Sequence, residues 1–239
     1  MRLHREAMLE LAAAIVSGEL EPGARIPKET DLSEQYDISR GVARECLRGL
    51  EERGLVTVRH GSATIVNPRE AWDIFDADVI AAALGGAAAV SLLGDYLECR
   101  RMIEIEAAAL AAGRATPDDV GRLEGCLEAM EAAVAQRRAR DQEREYHAAD
   151  VAFHLALVQA TGNDALVSLV RRIDGALLAA RYPLARPAYR RTRAIPEHEA
   201  ILDAVREGDA AAAREAMRAH LDTVEQYLRE HARRVARAA

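Results

Sequence analysis

The sequence predicts a mainly α-helical protein with one short β-hairpin near its N-terminal end. Half of the 239 residues are hydrophobic and 30% are charged, a composition that can bury a core and that excludes disordered and collagen-like chains. Alanine and leucine recur throughout with only 15 glycines and 7 prolines, which favours helix over sheet. Residues 54–67 alone show alternating β-branched positions, the pattern of paired strands.

The first 67 residues predict three helices followed by the hairpin. The predicted helices cover residues 4–17, 28–36 and 39–53. Ser39 is a good N-cap for the third helix, and Gly54 is a good C-terminal stop. Residues 55–59 and 64–66 flank a turn at His60-Gly61 and predict two antiparallel strands. Three helices and a hairpin in this order are typical of the winged helix-turn-helix, a DNA-binding fold.

The remainder of the chain predicts a helical bundle. Residues 68–79 are expected to be a linker, and residues 80–239 to form six or seven helices. Thr116-Pro117 marks a helix start, Gly162-Asn163 interrupts a helix, and Gly208-Asp209 closes one helix and caps the next. The chain is therefore expected to have three parts, at residues 1–67, 68–79 and 80–239.

The third predicted helix carries a stripe of arginines. Arg40, Arg44 and Arg48 recur every four residues and share one face. In a helix-turn-helix this helix enters the major groove, where guanidinium groups suit guanine O6 and N7 as well as phosphates. The alternative is a solvated face whose arginines pair with nearby acids. Those acids are Glu45, Glu51 and Glu52.

The net charge of −7 would normally argue against a nucleic-acid partner. Its local distribution is more informative than the total. Residues 1–67 carry nine basic and eleven acidic side chains, whereas residues 38–61 carry five arginines against three acids. The segment expected to meet DNA is therefore locally positive, and two copies acting together would suffice for binding.

The N-terminal segment resembles the GntR family of bacterial transcription regulators. The matching residues are Ile26-Pro27-Lys28-Glu29, Leu32-Ser33-Glu34, the run 38–50, Gly54-Leu55-Val56 and His60-Gly61. The resemblance implies that Arg40 and Arg44 contact the operator and that His60-Gly61 reaches the minor groove from the wing. The predicted DNA contacts are Lys28, Ser39, Arg40, Gly41, Arg44, Arg48, His60 and Gly61.

Three positions depart from the family pattern. Thr30 stands where many members have an arginine that touches DNA, and Lys28 replaces a small residue. Lys28 is therefore a candidate for the missing phosphate contact. Ala63 replaces a wing glycine that is common in the family, which leaves the path of the wing open.

Four potential metal ligands stand out in the helical region. Asp150 and His154 are four residues apart on one helix face, His198 is expected near the start of a later helix, and His220 lies on the helix after it. Three imidazoles and a carboxylate can hold a divalent metal and leave positions open for water or a ligand. The alternative is that these histidines, among seven in the chain, lie on surfaces or at helix ends.

Residues 95–230 resemble the effector domain of the FadR-type branch of the same family. The match rests on residues 98–104, Ala107-Ala108, Asp150-x3-His154, Glu197-His198-x2-Ile201, Gly208-Asp209 and His220. In metal-containing members the matching residues hold an ion inside an antiparallel helical bundle, and a small carboxylate effector binds it. The resemblance implies the same for Asp150, His154, His198 and His220, with Zn²⁺ expected first and Ni²⁺ or Mn²⁺ as alternatives. It also implies that Arg100 pairs with the effector, with Arg101 as a competitor.

The linker offers a narrower indication. Pro68-Arg69-x2-Trp72, followed by Asp76-x-Asp78, is similar to regulators that respond to sugar acids. The alternative is that Trp72 simply docks between domains. The first hypothesis is thus a homodimeric repressor that reads a palindromic operator and responds to a small carboxylate or sugar acid. The rivals are a metalloenzyme in which the same ligands activate water, and a regulator whose metal is purely structural.

The compartment is expected to be the cytoplasm. The three cysteines, Cys46, Cys99 and Cys126, are far apart and odd in number, which predicts reduced thiols rather than a disulfide framework. The first residues lack the apolar core of a signal peptide. The longest uncharged stretch, 79–94, is too short to span a bilayer, so no membrane partner is expected.

Overall fold

A computed structural model describes residues 2–58, 63–84, 88–136, 139–179 and 188–238, and across them the chain is mainly helical, as predicted. The helices are α1 (Arg2–Ser17), α2 (Glu29–Gln35), α3 (Arg40–Glu52), α4 (Ala77–Leu84), α5 (Ala88–Ala112), α6 (Pro117–Val134), α7 (Ala139–Gln159), α8 (Asp164–Ala179), α9 (Ala188–Arg206) and α10 (Ala210–Ala238). The strands are β1 (Val56–Thr57) and β2 (Ile65–Val66). Within these ranges, no helix has both the length and the apolarity needed to cross a membrane.

The chain folds into two compact units. One is formed mainly by residues 1–93, and the other by residues 94–174 and 182–239. The first unit contains α1 to α4 and both strands, and the second is all-helical in its described residues.

The helix boundaries of the first unit follow the predicted signals. Gly18 ends α1 with φ of 84°, a left-handed conformation in which an L side chain is strained. The Ser39 hydroxyl accepts a hydrogen bond from the Val42 N–H at 3.2 Å and so caps α3. Between α2 and α3 the chain turns at Asp37, where φ is 48°. These residues form the predicted helix-turn-helix.

The hairpin is shorter than the sequence pattern suggested. Val56 pairs with Val66 and Thr57 with Ile65 in an antiparallel register, while the predicted wing tip at His60-Gly61 lies outside the described residues. A third segment that the sequence did not reveal joins this sheet. The Ile26 N–H donates to the Thr64 carbonyl, and the Val66 N–H donates to the Ala24 carbonyl, each at 2.9 Å. The hairpin is thereby fixed to the chain that precedes α2.

One apolar core unites the helices and the sheet of the first unit. Its fully buried members include Ile15, Leu32, Leu50, Leu55 and Val56. On α3 the buried positions are Ala43, Cys46, Leu47, Gly49 and Leu50. The opposite face of α3 is exposed and carries Arg40, Arg44 and Arg48. Burial of one face thus leaves the arginine stripe in solvent.

Residues of the predicted linker are held against the first unit. The Arg53 side chain donates to Asp76 Oδ1 at 2.8 Å, to Asp78 Oδ2 at 2.5 Å and to the Gly49 carbonyl at 2.7 Å. Arg5 adds a second bond to Asp78 at 2.7 Å. The Asp76-x-Asp78 motif therefore binds an arginine at the end of α3 through charge-assisted hydrogen bonds, which are stronger than neutral ones.

Five helices of the second unit share a separate core. It is built from α5, α6, α7, α9 and α10, and its fully buried members include Leu123, Met130, Phe153, Leu157 and Ile201. The predicted caps are confirmed. Thr116 and Asp119 form a capping box at the start of α6, and Gly208 turns with φ of 73° before Asp209 Oδ1 accepts from two N–H groups of α10.

Gly54 provides a test of how closely residues 68–72 approach the end of α3. Its φ is 70°, and a methyl group there would lie 2.0 Å from the Ala71 carbonyl oxygen. We expect Gly54→Ala to lower the free energy of unfolding by about 1–2 kcal/mol through its left-handed backbone and by about 1–3 kcal/mol more through the clash. Urea unfolding of the full chain measures the change.

Gly18→Ala is the matched control. Gly18 also has a positive φ, of 84°, but no atom lies within 4 Å of the added methyl group. Gly18→Ala should therefore lower the free energy of unfolding only through the left-handed backbone conformation, by about 1–2 kcal/mol. Equal destabilisation by the two substitutions would contradict the close approach of Ala71.

Candidate functional site

Three imidazole rings converge inside the second unit. His154 lies on α7, His198 on α9 and His220 on α10, and all three residues are fully buried. Their ring centroids are separated by 5.4 Å for the 154–198 pair, 5.2 Å for 154–220 and 4.5 Å for 198–220. One nitrogen from each ring lies within 4.8 Å of the others, so a single ion could contact all three.

The outward nitrogen of each ring faces an acceptor. His220 Nδ1 lies 2.9 Å from Glu197 Oε2, and His154 Nδ1 lies 2.8 Å from Glu104 Oε2. His198 Nδ1 lies 2.7 Å from the Ala194 carbonyl. Carboxylates and carbonyls only accept, so each Nδ1 carries the proton and each Nε2 keeps a lone pair.

The Nε2 atoms of these three histidines are buried and make no hydrogen bond with any described residue. Buried polar atoms without partners are costly, and such atoms in one cluster indicate a ligand or ion. Imidazoles whose far nitrogen is held by a carboxylate or carbonyl are the usual arrangement around a bound metal. The donor set therefore fits a divalent ion that accepts nitrogen ligands.

Burial lowers the pKa of two of the three imidazoles, those of His154 and His220. Burial and the neighbouring His198 ring lower the pKa of His220 to about 3, although Glu197 opposes the shift. Burial also lowers the pKa of His154, against the opposing effect of Glu104. For Glu104, burial would raise the pKa, but the charge of Arg100 and the hydrogen bonds from Arg100 and His154 outweigh it and lower the pKa, so the carboxylate is ionised. Neutral imidazoles are the form that binds metal.

Asp150, the predicted carboxylate ligand, lies beside the histidines. It is buried on α7, and its Oδ1 is 3.4 Å from His198 Nε2. It does not belong to the group of three whose ligand atoms all lie within 4.8 Å of one another. The structure thus brings all four predicted ligands to one place, with Asp150 at the edge of the imidazole cluster.

The two predicted effector arginines on α5 have different surroundings. Arg100 is buried and donates to both oxygens of Glu104, at 2.6 and 3.1 Å, so it is linked through Glu104 to His154. Arg101 is partly exposed and pairs with Asp222 on α10. Arg100 is thus the arginine that Glu104 connects to the histidine cluster.

The arginine stripe of α3 is exposed on the first unit. Arg44 makes two bonds to Glu29 of α2, and Arg48 pairs with Glu52 at 3.0 Å and with Glu45 at 4.0 Å. Glu51, one of the acids expected to pair with the stripe, instead accepts a hydrogen bond from the Val58 N–H. Arg40 makes no ion pair in the described part of the chain.

The other predicted DNA contacts are distributed around the same surface. Lys28 precedes α2 and is exposed, and its backbone N–H donates to Asp31. Gly41 is exposed, and a methyl group there would meet only Ser39 Oγ, at 3.8 Å. Packing within the chain therefore does not require glycine at this position. His60 and Gly61 lie outside the described residues.

Sequence reasoning missed the residues that support these sites. Glu104, Glu197 and the Ala194 carbonyl orient the imidazoles, and Glu29 orients Arg44. A weak signal existed for two of them. Glu104 follows Arg100 by four residues on one helix, and Glu197 immediately precedes His198. Their partners on other helices are not visible in the sequence.

Together, a winged helix-turn-helix with exposed arginines and a helical unit with a buried ligand cluster define a DNA-binding transcriptional regulator. Comparison with family models identifies the family to which this regulator belongs. Residues 3–66 match the model described as bacterial regulatory proteins of the gntR family, and residues 95–223 match the FCD domain. The chain belongs to the GntR family of regulators that carry an FCD domain.

Individual relatives cover nearly the whole chain. The chain is 30% identical to the galactonate operon transcriptional repressor of Escherichia coli, over 87% of this chain and 89% of the relative. It is 32% identical to the regulator LutR of Bacillus subtilis, over 90% and 95% of the two chains. It is 31% identical to the Uxu operon transcriptional regulator of Escherichia coli, over 96% and 88%.

Solved structures agree on the architecture. A GntR protein of Streptococcus agalactiae is 27% identical, with a TM-score of 0.51 over 93% of this chain and 99% of that one. The Listeria monocytogenes regulator Lar, at 19% identity, shares the fold with a TM-score of 0.66 over 95% and 96% of the two chains. The family and these relatives are transcriptional regulators, so the metalloenzyme alternative is wrong.

The role of Glu197 in orienting His220 is directly testable. We expect Glu197→Ala to weaken Zn²⁺ binding by the metal-stripped full chain about 10- to 100-fold, because His220 loses the acceptor that fixes its tautomer and ring orientation. Competition with a chromophoric chelator measures the affinity.

Glu199→Ala is the control. Glu199 is exposed on the same helix two residues away, and its loss changes the net charge equally. It should leave the affinity unchanged. Equal affinities of wild type and Glu197→Ala would contradict the orienting role, and failure of the wild type to take up Zn²⁺, Ni²⁺ or Mn²⁺ would contradict the metal site itself.

Proposed function

We propose that the protein is a homodimeric repressor of a carboxylate or sugar-acid catabolic operon, released or retained on DNA by a small carboxylate bound at a divalent metal. The carrying observation is the cluster of three buried Nε2 atoms without hydrogen-bond partners, in the FCD domain of a DNA-binding regulator. In this proposal residues 1–67 bind DNA, and residues 80–239 bind the effector and form the dimer. Residues 68–79 are the linker between these two parts.

The exposed face of α3 supports the DNA-binding role. Arg40, Arg44 and Arg48 project from the helix that a helix-turn-helix inserts into the major groove. Gly41 has no packing reason to be glycine, which is consistent with close approach of a DNA backbone to α3. Lys28, Ser39 and the wing residues His60 and Gly61 complete the proposed contact set. Two such heads related by a two-fold axis would read an inverted repeat.

The surroundings of the histidine cluster support a carboxylate effector. When bound, the metal would supply open coordination positions for carboxylate oxygens. The protein side would contribute His154, His198 and His220, with Asp150 as the candidate fourth ligand. Arg100 is the better supported effector arginine, because Glu104 connects it to His154. A carboxylate effector would share the Arg100 guanidinium with Glu104.

The relatives support a sugar acid as the effector class. One relative is named for a galactonate operon, and galactonate is a sugar acid with one carboxylate and several hydroxyl groups. Its carboxylate and a neighbouring hydroxyl oxygen could both reach an open metal site. Control of transcription then requires that the effector bind one arrangement of the dimer better than another, since equal affinity shifts nothing.

Arg44 tests the DNA contact. We expect Arg44→Ala to weaken binding of a duplex that the wild type selects by about 10- to 100-fold in a mobility-shift assay, and to leave metal binding and thermal stability nearly unchanged. The reason is that Arg44 is largely exposed and its ion pair with Glu29 lies on the surface, so its loss removes a DNA contact and changes stability little.

Arg218→Ala is the control, since Arg218 is an exposed arginine of α10 in the second unit, paired with Glu215. It should bind the same duplex as the wild type does. An unchanged mobility shift for Arg44→Ala would contradict the proposal that the arginine stripe of α3 contacts DNA.

A melt screen tests the effector proposal. We expect D-galactonate or another small carboxylate to raise the Tm of Zn²⁺-loaded protein, because a ligand at 100 times its Kd adds about 2.7 kcal/mol. Arg100→Met should weaken this shift, whereas Arg101→Met should preserve it. If a carboxylate stabilises chelated protein equally well, binding through the metal is wrong and a structural metal is the better account.

A further inference from the structure

Glu29 and Arg44 form a two-point ion pair on the surface proposed to meet DNA. Arg44 Nε donates to Glu29 Oε1 and Arg44 Nη2 donates to Glu29 Oε2, both at 3.0 Å. Glu29 begins α2 and Arg44 lies on α3, so the pair joins the two helices of the helix-turn-helix. The pair also raises the pKa of the Arg44 guanidinium, through the hydrogen bond and the charge of Glu29.

The pair uses one edge of the guanidinium and leaves another available. A guanidinium has five N–H donors in a planar fork, and Glu29 takes one from Nε and one from Nη2. Nη1 makes no hydrogen bond within the described residues. The end of the fork, formed by Nη1 and the second N–H of Nη2, is therefore the edge open to a ligand. The Arg44 side chain is 69% exposed, against 35% for Glu29.

The other stripe arginines are held differently. Arg48 pairs through Nε with Glu52, and its Nη1 lies 4.0 Å from Glu45, so both edges of its fork face acids of its own helix. Arg40 makes no ion pair with any described residue. Arg44 is thus the stripe arginine whose plane is fixed by an acid on a neighbouring helix while the end of its fork stays open.

We propose that Glu29 is a positioning residue that fixes the plane of Arg44, so that the free end of its fork reads guanine O6 and N7 in each operator half-site. This inference rests on the proposed DNA contact of Arg44. Two N–H groups in one plane match the two acceptors of guanine in the major groove. A planar fork held in advance also loses less freedom when it binds.

The same pair disfavours a phosphate contact by Arg44. Glu29 neutralises the guanidinium and places a carboxylate beside it, which would repel a phosphate more strongly than a neutral base edge. Glu29 therefore lowers the affinity of the protein for arbitrary DNA and increases its discrimination between bases. Its removal should free Arg44 to reach phosphates, strengthen binding to arbitrary DNA and steepen the salt dependence by about one unit of slope.

The test is selection from a randomised duplex library by full-length wild type and three variants, followed by sequencing. We expect the wild type to select a half-site with a guanine whose preference disappears in Arg44→Ala. Glu29→Gln should still bind DNA but lose that guanine preference by about tenfold or more. Its affinity for an unselected duplex should rise.

Glu52→Gln is the matched control, because it removes the same charge from the same surface but frees Arg48 instead. It should keep the guanine preference. The inference is overturned if Glu29→Gln keeps the preference, if it loses all DNA binding, or if Arg44→Ala weakens every position evenly as a phosphate contact would. A wild-type motif retained in Arg44→Ala instead overturns the proposed DNA contact itself.

Discussion

The three inward-facing imidazole nitrogens impose the constraint on which the second unit depends. Each Nε2 is buried without a hydrogen bond among the described residues, while each Nδ1 faces a carboxylate or a carbonyl. Nitrogen atoms buried in this way destabilise the fold unless an ion occupies the space between them. Helices α7, α9 and α10 each supply one ring, so whatever binds there fixes their relative positions. A ligand bound there would therefore contact three helices at once.

The first unit must present positive charge to DNA although the chain as a whole has a net charge of −7. Burial of one face of α3 exposes the arginines on the other, and acids from α2 and α3 hold two of them. The surface is therefore not uniformly basic. Such a surface favours recognition of base edges over general attraction to the phosphate backbone, and dimerisation would add the affinity that each head lacks.

The sequence was most informative where function depends on local spacing. The Arg40, Arg44 and Arg48 stripe, the Ser39 cap and the Asp150-x3-His154 pair all follow from positions four residues apart or closer. The missing parts were contacts between distant segments. Glu104 meets His154 across fifty residues, Glu29 meets Arg44 from another helix, and Asp76 and Asp78 bind Arg53 rather than remaining in a free linker. No periodicity encodes such pairings, because tertiary packing creates them.

Coupling between effector binding and DNA binding can be measured directly. Affinity for a selected operator duplex should be compared with and without a stabilising carboxylate, in Zn²⁺-loaded wild type and in His198→Gln. We expect the carboxylate to change the Kd of the wild type by roughly 5- to 150-fold and to leave that of His198→Gln unchanged. An identical response in both proteins, or none in the wild type despite carboxylate binding, would contradict this expectation.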